Sequence, residues 1–91
     1  MAGEKNTKMI SVKVLYFAQA RELARGKHFE EKKVAEKTRV AELLFMILEA
    51  RPNSQSLIKN IAVSVNYRIA KKDDFLSDGD EVALIPPVAG G

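Results

Sequence analysis

The chain has 91 residues, which is enough for one small domain and too few for two. Its net charge is +3, and its 15 lysines and arginines are interleaved with 12 acids, which argues against a nucleic-acid-binding protein. There is no cysteine, which excludes disulfides, thiolate metal sites and thiol nucleophiles, and no run of about 18 apolar residues that would span a membrane.

Residues 1–8 are polar and lack the apolar stretch of a secretory signal, so we expect a disordered extension. Residues 9–17 are predicted to form a β-strand, because apolar residues alternate onto one face. That face contains Ile10, Val12, Val14 and Tyr16. The other face is polar at first but becomes apolar at Leu15 and Phe17. These two side chains could pack under a neighbouring loop or form a surface for a partner.

Residues 18–25 are predicted to form a short helix that Gly26 ends. Residues 28–35 form a weaker candidate strand, in which Phe29 and Val34 would lie on opposite faces unless a bulge intervenes. The only histidine begins this segment. We interpret it as a surface residue, because a metal site or a catalytic dyad needs convergent partners.

The strongest helix signal runs from Thr38 to Arg51. Thr38 is predicted to cap its N-terminus, where Glu42 would complement the positive end of the helix dipole. Its apolar stripe has the spacing of a helix that covers a core and contains Val40, Leu43, Leu44, Ile47 and Leu48. Pro52 is expected to stop the helix and to begin a loop.

Residues 61–65 alternate again and predict a strand with Ile61, Val63 and Val65 on one face. The following Asn-Tyr pair suits a tight turn, because asparagine tolerates left-handed backbone. Residues 68–70 would be a short return strand.

Residues 73–80 are predicted to form a loop from which Phe75 and Leu76 enter the core. Its last four residues, 77–80, suit a turn and are too few for a calcium loop. Residues 81–85 read as the final strand. Val82 and Leu84 would face one way, and Ala83 and Ile85 the other.

This order of elements predicts an α+β domain over residues 9–85. A single long helix can cover only one face of a sheet, so the other face should be partly open. The first and last strands are expected to lie side by side in the middle of the sheet.

Residues 86–91, PPVAGG, form the most informative segment. Pro86 and Pro87 favour extended backbone, so we predict a tail that leaves the domain and reaches about 20 Å. Glycine can pass through a channel too narrow for other residues, and a glycyl carboxyl group is unhindered. Most chain ends have no function, but here we predict that the carboxyl group of Gly91 is the reacting group.

Several segments together resemble the small subunit of molybdopterin synthase, a family of sulfur carriers in the ubiquitin-like superfamily. The matching segments are Lys13–Gln19 with Arg21-Glu22-Leu23, Val65-Asn66, Leu76–Ala83 and Pro86–Gly91. The opening "YFA..RE" combined with the ending "DGDEVA.IPPV.GG" is specific, whereas residues 27–60 match only in pattern.

The resemblance implies a ubiquitin-like β-grasp fold, a mixed sheet with one long helix packed on one face. It also implies that an E1-like adenylyltransferase and sulfurtransferase adenylates Gly91 with ATP and magnesium, and that a sulfur donor converts the acyl-adenylate to a thiocarboxylate. The large subunit of the synthase would then receive the tail and pass the sulfur to cyclic pyranopterin monophosphate. The chain would be the small, non-catalytic subunit of a cytosolic heterotetramer. It would hold no metal and no stably bound cofactor, only transient AMP and sulfur on Gly91.

The resemblance also implies which residues meet the partner. The segment Pro86, Pro87, Val88, Ala89 and Gly90 would thread into the large subunit. Phe17 and Ile85 occupy interface positions of the family, and the strand alternation adds Leu15 and Ala83 to the same face. Arg21 is a candidate polar contact at its rim.

Three other functions stay open on the sequence alone. A thiamin-pathway sulfur carrier would share the fold and the Gly-Gly chemistry, although the "YFA" opening and the "PPVAGG" tail argue against it. A ubiquitin-like modifier joined to lysines through Gly91 would share the activation step. An adaptor of the same fold would not use the tail at all.

Overall fold

The computed structural model describes residues 8–51 and 59–87 of the chain. Residues 1–7 of the predicted extension, the loop predicted after Pro52 and the tail beyond Pro87 lie outside the described residues. The strands are β1 (Met9–Tyr16), β2 (Phe29–Ala35), β3 (Ala62–Val65), β4 (Arg68–Ile69) and β5 (Glu81–Ile85). The helices are a 3₁₀ helix (Ala18–Ala24) and α1 (Val40–Ala50). No helix of the described ranges is long and apolar enough to cross a membrane.

The five strands form one mixed sheet in the order β2-β1-β5-β3-β4. The first and last strands lie side by side and parallel, as predicted, with Val14 opposite Val82 and Leu15 opposite Ala83. All other pairs are antiparallel. Parallel central strands flanked by hairpins, with one helix as the second layer, define the β-grasp fold.

The core lies between the sheet and α1. The strand residues predicted to face inward are buried except Val65, which is half-buried and packs against the core. Val14, Val82 and Leu84 have no exposed surface. Helix α1 contributes Val40, Leu43, Leu44 and Ile47 to the same cluster, while Leu48 is half-buried. Helix α1 covers one face only, and no helix of the described residues covers the opposite face of the sheet. We call it the open face.

The N-terminus of α1 differs from the prediction. The helix begins at Val40, and Arg39 is the N-cap residue. The side chain of Glu42 accepts a 2.7 Å hydrogen bond from the Arg39 main-chain N–H. Thr38 instead donates its hydroxyl to the carbonyl of Ala35, 2.6 Å away, so the predicted cap was wrong. Thr38 stabilises the preceding turn because its hydroxyl bonds backward along the chain.

The loop before β5 also differs from the prediction. Leu76 is buried, as expected, but Phe75 is 56% exposed, so its predicted place in the core was wrong. The Phe75 ring lies 4.7 Å from the guanidinium of Arg39, and the two residues form an isolated antiparallel bridge. Neighbouring residues of extended backbone point to opposite sides, so only one of the two could enter the core.

The short helix has 3₁₀ geometry, and its end involves two residues with positive φ. Ala20, Leu23 and Ala24 anchor it in the core. Arg25 has φ of 55° and Gly26 has φ of 88°, and the N–H of Gly26 donates to the carbonyl of Arg21. Gly26 therefore contributes to the helix end as predicted, together with the left-handed Arg25.

The turn between β3 and β4 also positions β5. Asn66 and Tyr67 both have positive φ, as a two-residue hairpin turn of this kind requires. The Asn66 side chain donates to a carboxylate oxygen of Asp80 and accepts from the N–H of Glu81, both at 2.9 Å. The other carboxylate oxygen of Asp80 accepts from the N–H of Ser77. These hydrogen bonds fix the position of the first residue of β5, the strand that leads to the tail.

Two neighbouring helix positions test the assignment of the core. Leu43→Ala is expected to lower the free energy of unfolding by about 2–5 kcal/mol, because it removes buried methyl groups and leaves a cavity. The control Phe45→Ala should change it far less, because Phe45 is 60% exposed and Leu43 is fully buried. Chemical denaturation of both variants measures the difference. Equal losses would contradict this orientation of α1.

Candidate docking site on the open face

A row of residues that are apolar except for Ser64 crosses the open face from one edge of the sheet to the other. The strand register places Phe29 opposite Leu15, Leu15 opposite Ala83, Ala83 opposite Ser64, and Ser64 opposite Ile69. Residues opposite each other on paired strands have side chains on the same face. Phe29 is 52% exposed and Ile69 is 77% exposed, so the row presents large apolar groups to solvent at both ends.

A second apolar row lies beside the first, at the end of the sheet where the tail begins. Ile85 is opposite Ala62, and the N–H of Phe17 donates to the carbonyl of Leu84 at 3.2 Å, which brings Phe17 alongside Ile85. Phe17 is 43% exposed and Ile85 is 37% exposed. We call Leu15, Phe17, Phe29, Ile69, Ala83 and Ile85 the apolar patch. Pro86, which follows Ile85 directly, is the first residue of the tail.

A charged row borders the apolar patch on the side away from the tail. Lys13 lies between Glu31 of β2 and Glu81 of β5 in the strand register. Its ammonium group is 4.6 Å from the centre of the Phe29 ring, a cation–π contact at the edge of the patch. Apolar groups at the centre and charges at the rim are typical of protein–protein interfaces.

The sequence-predicted interface residues share this face but differ in exposure. Leu15 is half-buried, and Ala83 is only 7% exposed, because its short side chain lies between larger neighbours. Arg21 is half-buried, and its Nε donates to the carbonyl of Tyr16 at 3.2 Å. This bond holds the guanidinium beside the end of β1, next to Phe17.

The structure adds two large residues that the sequence reasoning did not assign to this site, Phe29 and Ile69. Both were recognised as parts of strands. Alternation within β2 predicted that Phe29 and Val34 point to opposite faces of the sheet. Only the register between β1 and β2 shows that Phe29 lies beside Leu15. Ile69 belongs to a strand of two residues, which is too short to show alternation.

The tail begins at the surface. Strand β5 ends at Ile85, Pro86 is buried against the domain, and Pro87 is exposed. Val88, Ala89, Gly90 and Gly91 lie outside the described residues, and their role stays a prediction. No three His, Asp or Glu side chains of the described ranges converge as a metal site would require.

Tyr16 is the one strongly perturbed titratable group at the end of β1. Its ring is buried and its hydroxyl donates to a carboxylate oxygen of Glu30 at 2.9 Å. Burial, and then the hydrogen bond and charge of Glu30, raise the pKa of the Tyr16 phenol well above its ordinary value of 10.0. The exposed Tyr67 also has a raised pKa, because of its hydrogen bond with Glu81.

The raised pKa of Tyr16 predicts a loss of stability at high pH. Below pH 10 the phenol is protonated in both the native and the unfolded state. Above it the unfolded state releases the proton and the native state retains it, so stability falls by up to about 1.4 kcal/mol per pH unit. Tyr16→Phe should remove this slope, whereas Tyr67→Phe should retain most of it. Urea denaturation between pH 9 and pH 11 measures both. An unchanged slope in Tyr16→Phe would contradict the prediction.

Comparisons with known proteins agree with this geometry. Residues 14–91 match the model of the ThiS family. The chain is 40% identical to the molybdopterin synthase sulfur carrier subunit of Mycobacterium tuberculosis, over 91% of this chain and all of that protein. It is 37% identical to the protein of the same name from Chlamydomonas reinhardtii, over 90% of this chain and all of that protein.

A solved structure of similar shape is the small archaeal modifier protein 1 of Haloferax volcanii. It is 28% identical, with a TM-score of 0.73 over 87% of this chain and 99% of that protein. The fold therefore places the chain among ubiquitin-like β-grasp proteins. Within that class it belongs to the ThiS family, and the relatives that it resembles there are molybdopterin synthase sulfur carrier subunits.

Proposed function

We propose that the chain carries sulfur on the carboxyl group of Gly91 for molybdopterin synthase. The observation that carries the proposal is the position of the apolar patch, which borders the first residue of the tail. A partner that binds the patch also receives whatever the tail bears. The family match, which extends to residue 91, and the names of the curated relatives support the nature of that cargo.

In the first step we propose, the Gly91 carboxylate attacks the α-phosphorus of ATP on an E1-like enzyme. Pyrophosphate leaves, and the acyl-adenylate forms. A carboxylate is a poor electrophile, whereas AMP is a good leaving group. A donor then supplies sulfur at the oxidation level of sulfide, which attacks the acyl carbon, and AMP departs to leave a thiocarboxylate. Magnesium and the phosphate-binding groups belong to the activating enzyme.

In the second step the charged chain binds the large subunit, and its tail enters that subunit's active site. The thiocarboxylate sulfur attacks a side-chain carbon of cyclic pyranopterin monophosphate, forms a carbon–sulfur bond there and displaces the oxygen substituent that this carbon held. Water then cleaves the bond between the acyl carbon and sulfur, which leaves the sulfur on the pterin and restores the Gly91 carboxylate. The chain acts as the small subunit of a heterotetramer in the cytosol and contributes no catalytic side chain in this proposal.

Reconstitution tests the proposal. The chain is prepared with a thiocarboxylate at Gly91 and mixed with the large subunit and cyclic pyranopterin monophosphate. We expect molybdopterin to form in proportion to the thiocarboxylate supplied, while the chain returns to the mass of the carboxylate form. The carboxylate form is the matched control and should yield none. Absence of product from the thiocarboxylate form would overturn the carrier function.

A second candidate function is protein modification through Gly91, and the likeness to an archaeal protein named as a modifier favours it. Activation would be identical up to the acyl-adenylate, after which a lysine amine would displace AMP. Mass spectrometry of host proteins distinguishes the two functions. A modifier leaves the tail of this chain joined to target lysines, whereas a carrier leaves none. The curated relatives favour the molybdopterin pathway over the thiamin pathway.

A further inference from the structure

Strand β2 is an edge of the sheet with unused main-chain hydrogen-bonding groups. Among the described residues, β2 pairs only with β1. At its two ends the carbonyl of His28 accepts from Tyr16 and the N–H of Glu36 donates to Lys8. Hydrogen-bonded and non-bonded pairs alternate along an antiparallel ladder. The N–H and C=O groups of the odd-numbered residues, Phe29, Glu31, Lys33 and Ala35, therefore point away from β1.

The sequence of this edge, FEEKKVA, is complementary to itself in one antiparallel register. When a two-fold axis passes through Lys32, Glu31 of each copy lies opposite Lys33 of the other, and Phe29 lies opposite Ala35. An axis through Glu31 would place Glu31 opposite itself, and an axis through Lys33 would place Lys33 opposite itself. Opposite charges across a strand pair stabilise it and like charges destabilise it. Each of these axes opposes one residue to itself, and the axis through Glu31 also brings Glu30 opposite Lys32, two residues that already pair within each chain at 3.7 Å. Only the axis through Lys32 adds two new ion pairs, so we take that register.

We propose that two copies of the chain associate through β2 in this register and form one continuous sheet of ten strands. The main-chain groups of Phe29, Glu31 and Lys33 and the N–H of Ala35, which bond to no other described residue, supply the hydrogen bonds of the new ladder. The carbonyl of Ala35 does not take part, because it already accepts from the N–H and the hydroxyl of Thr38. Glu31 and Lys33 are both exposed on the open-face side of the strand, where they form two ion pairs related by the axis. The dimer is independent of the sulfur-carrier function.

The other face of the edge is compatible with this pairing. The two Lys32 side chains meet near the axis, but each ammonium group is 3.7 Å from the Glu30 carboxylate of its own chain, which offsets the repulsion. Val34 is already buried and lies opposite Glu30 of the second copy. Because the axis is perpendicular to the sheet, both open faces point to the same side of the dimer.

Charge reversal tests the register. In a dimer of the Lys33→Glu variant, Glu31 of each copy would lie opposite a glutamate of the other copy. In a dimer of the Glu31→Lys variant, Lys33 of each copy would lie opposite a lysine of the other copy. Each variant alone should therefore associate about tenfold more weakly than the native chain. An equimolar mixture of the two restores opposite charges at both pairs and should associate at least as tightly as the native chain. Sedimentation velocity up to millimolar concentration measures all four samples, and thermal unfolding confirms that each variant is folded.

A single cysteine provides a second test, because the chain has no cysteine of its own. Lys32→Cys places two thiols opposite each other across the axis, within reach of a disulfide. Ala35→Cys is the control at the same edge, because its counterpart lies several residues away along the ladder. Mild oxidation should crosslink the first variant and leave the second monomeric. A native chain that stays monomeric at millimolar concentration, or crosslinking that does not depend on position, would overturn the proposal.

Discussion

Deletion of Gly91 is expected to abolish sulfur transfer while leaving the domain folded. The described part of the domain ends at Pro87, and the core residues lie between Ile10 and Leu84, so the last residue contributes nothing to the packing described. The deletion moves the terminal carboxyl group to Gly90, about 3.5 Å short of its proper position in a partner's active site. Misplacement of a reacting group by a smaller distance can reduce a rate by about two orders of magnitude.

Molybdopterin formation in the reconstituted system measures this effect, with thermal unfolding as the check on folding. Deletion of Ala2 is the matched control, because it also removes one residue but at the opposite terminus. We expect activity below the detection limit for the Gly91 deletion and native activity for the control. A Gly91 deletion variant that still supported molybdopterin formation would exclude the carrier function.

Replacement of Phe17 by aspartate is expected to weaken binding of the large subunit by about thirtyfold or more, the loss typical of a central aromatic contact. The substitution places a charge beside Ile85, next to the first residue of the tail, where the partner would remove it from water. Phe17 is 43% exposed, so the fold should tolerate the change.

Phe45→Asp provides the matched control for Phe17→Asp. Phe45 is also an exposed phenylalanine, but it lies on α1, on the opposite side of the molecule from the open face. Isothermal titration with the large subunit should show a weakened Phe17→Asp variant and an unchanged Phe45→Asp variant. If Phe17→Asp unfolds the domain, Phe17 belongs to the core. Equal weakening of both variants would contradict docking through the apolar patch.

Much of the fold could be predicted because period-two alternation and helical periodicity are local signals. Residues 10–16 and 81–85 show their buried face directly in the sequence, and a single long helix implies one open face. Thr38 and Phe75 were assigned wrongly because each makes a contact that competes with the predicted one, a local contact for Thr38 and a contact between distant residues for Phe75. Glu42 bonds back to Arg39 in place of a Thr38 cap. Leu76 takes the core position, and Phe75 points to the opposite side, where its ring lies against the guanidinium of Arg39.

The candidate site could be predicted only in part. Leu15, Phe17, Ala83 and Ile85 follow from alternation once the first and last strands are neighbours. Phe29 and Ile69 complete the apolar patch only through the register of the edge strands, which connects residues far apart in the chain. Local sequence carries no information on that register, because it depends on how whole strands align.

The central claim is that the Gly91 carboxyl group carries sulfur in the cell. The most direct measurement is the intact mass of the protein purified from its native host under conditions that prevent hydrolysis. We predict a fraction heavier than the carboxylate form by the difference in mass between sulfur and oxygen, with fragmentation locating the change at Gly91. A protein found only as the carboxylate, including in cells in which the large subunit has been removed so that the charged form accumulates, would contradict the claim.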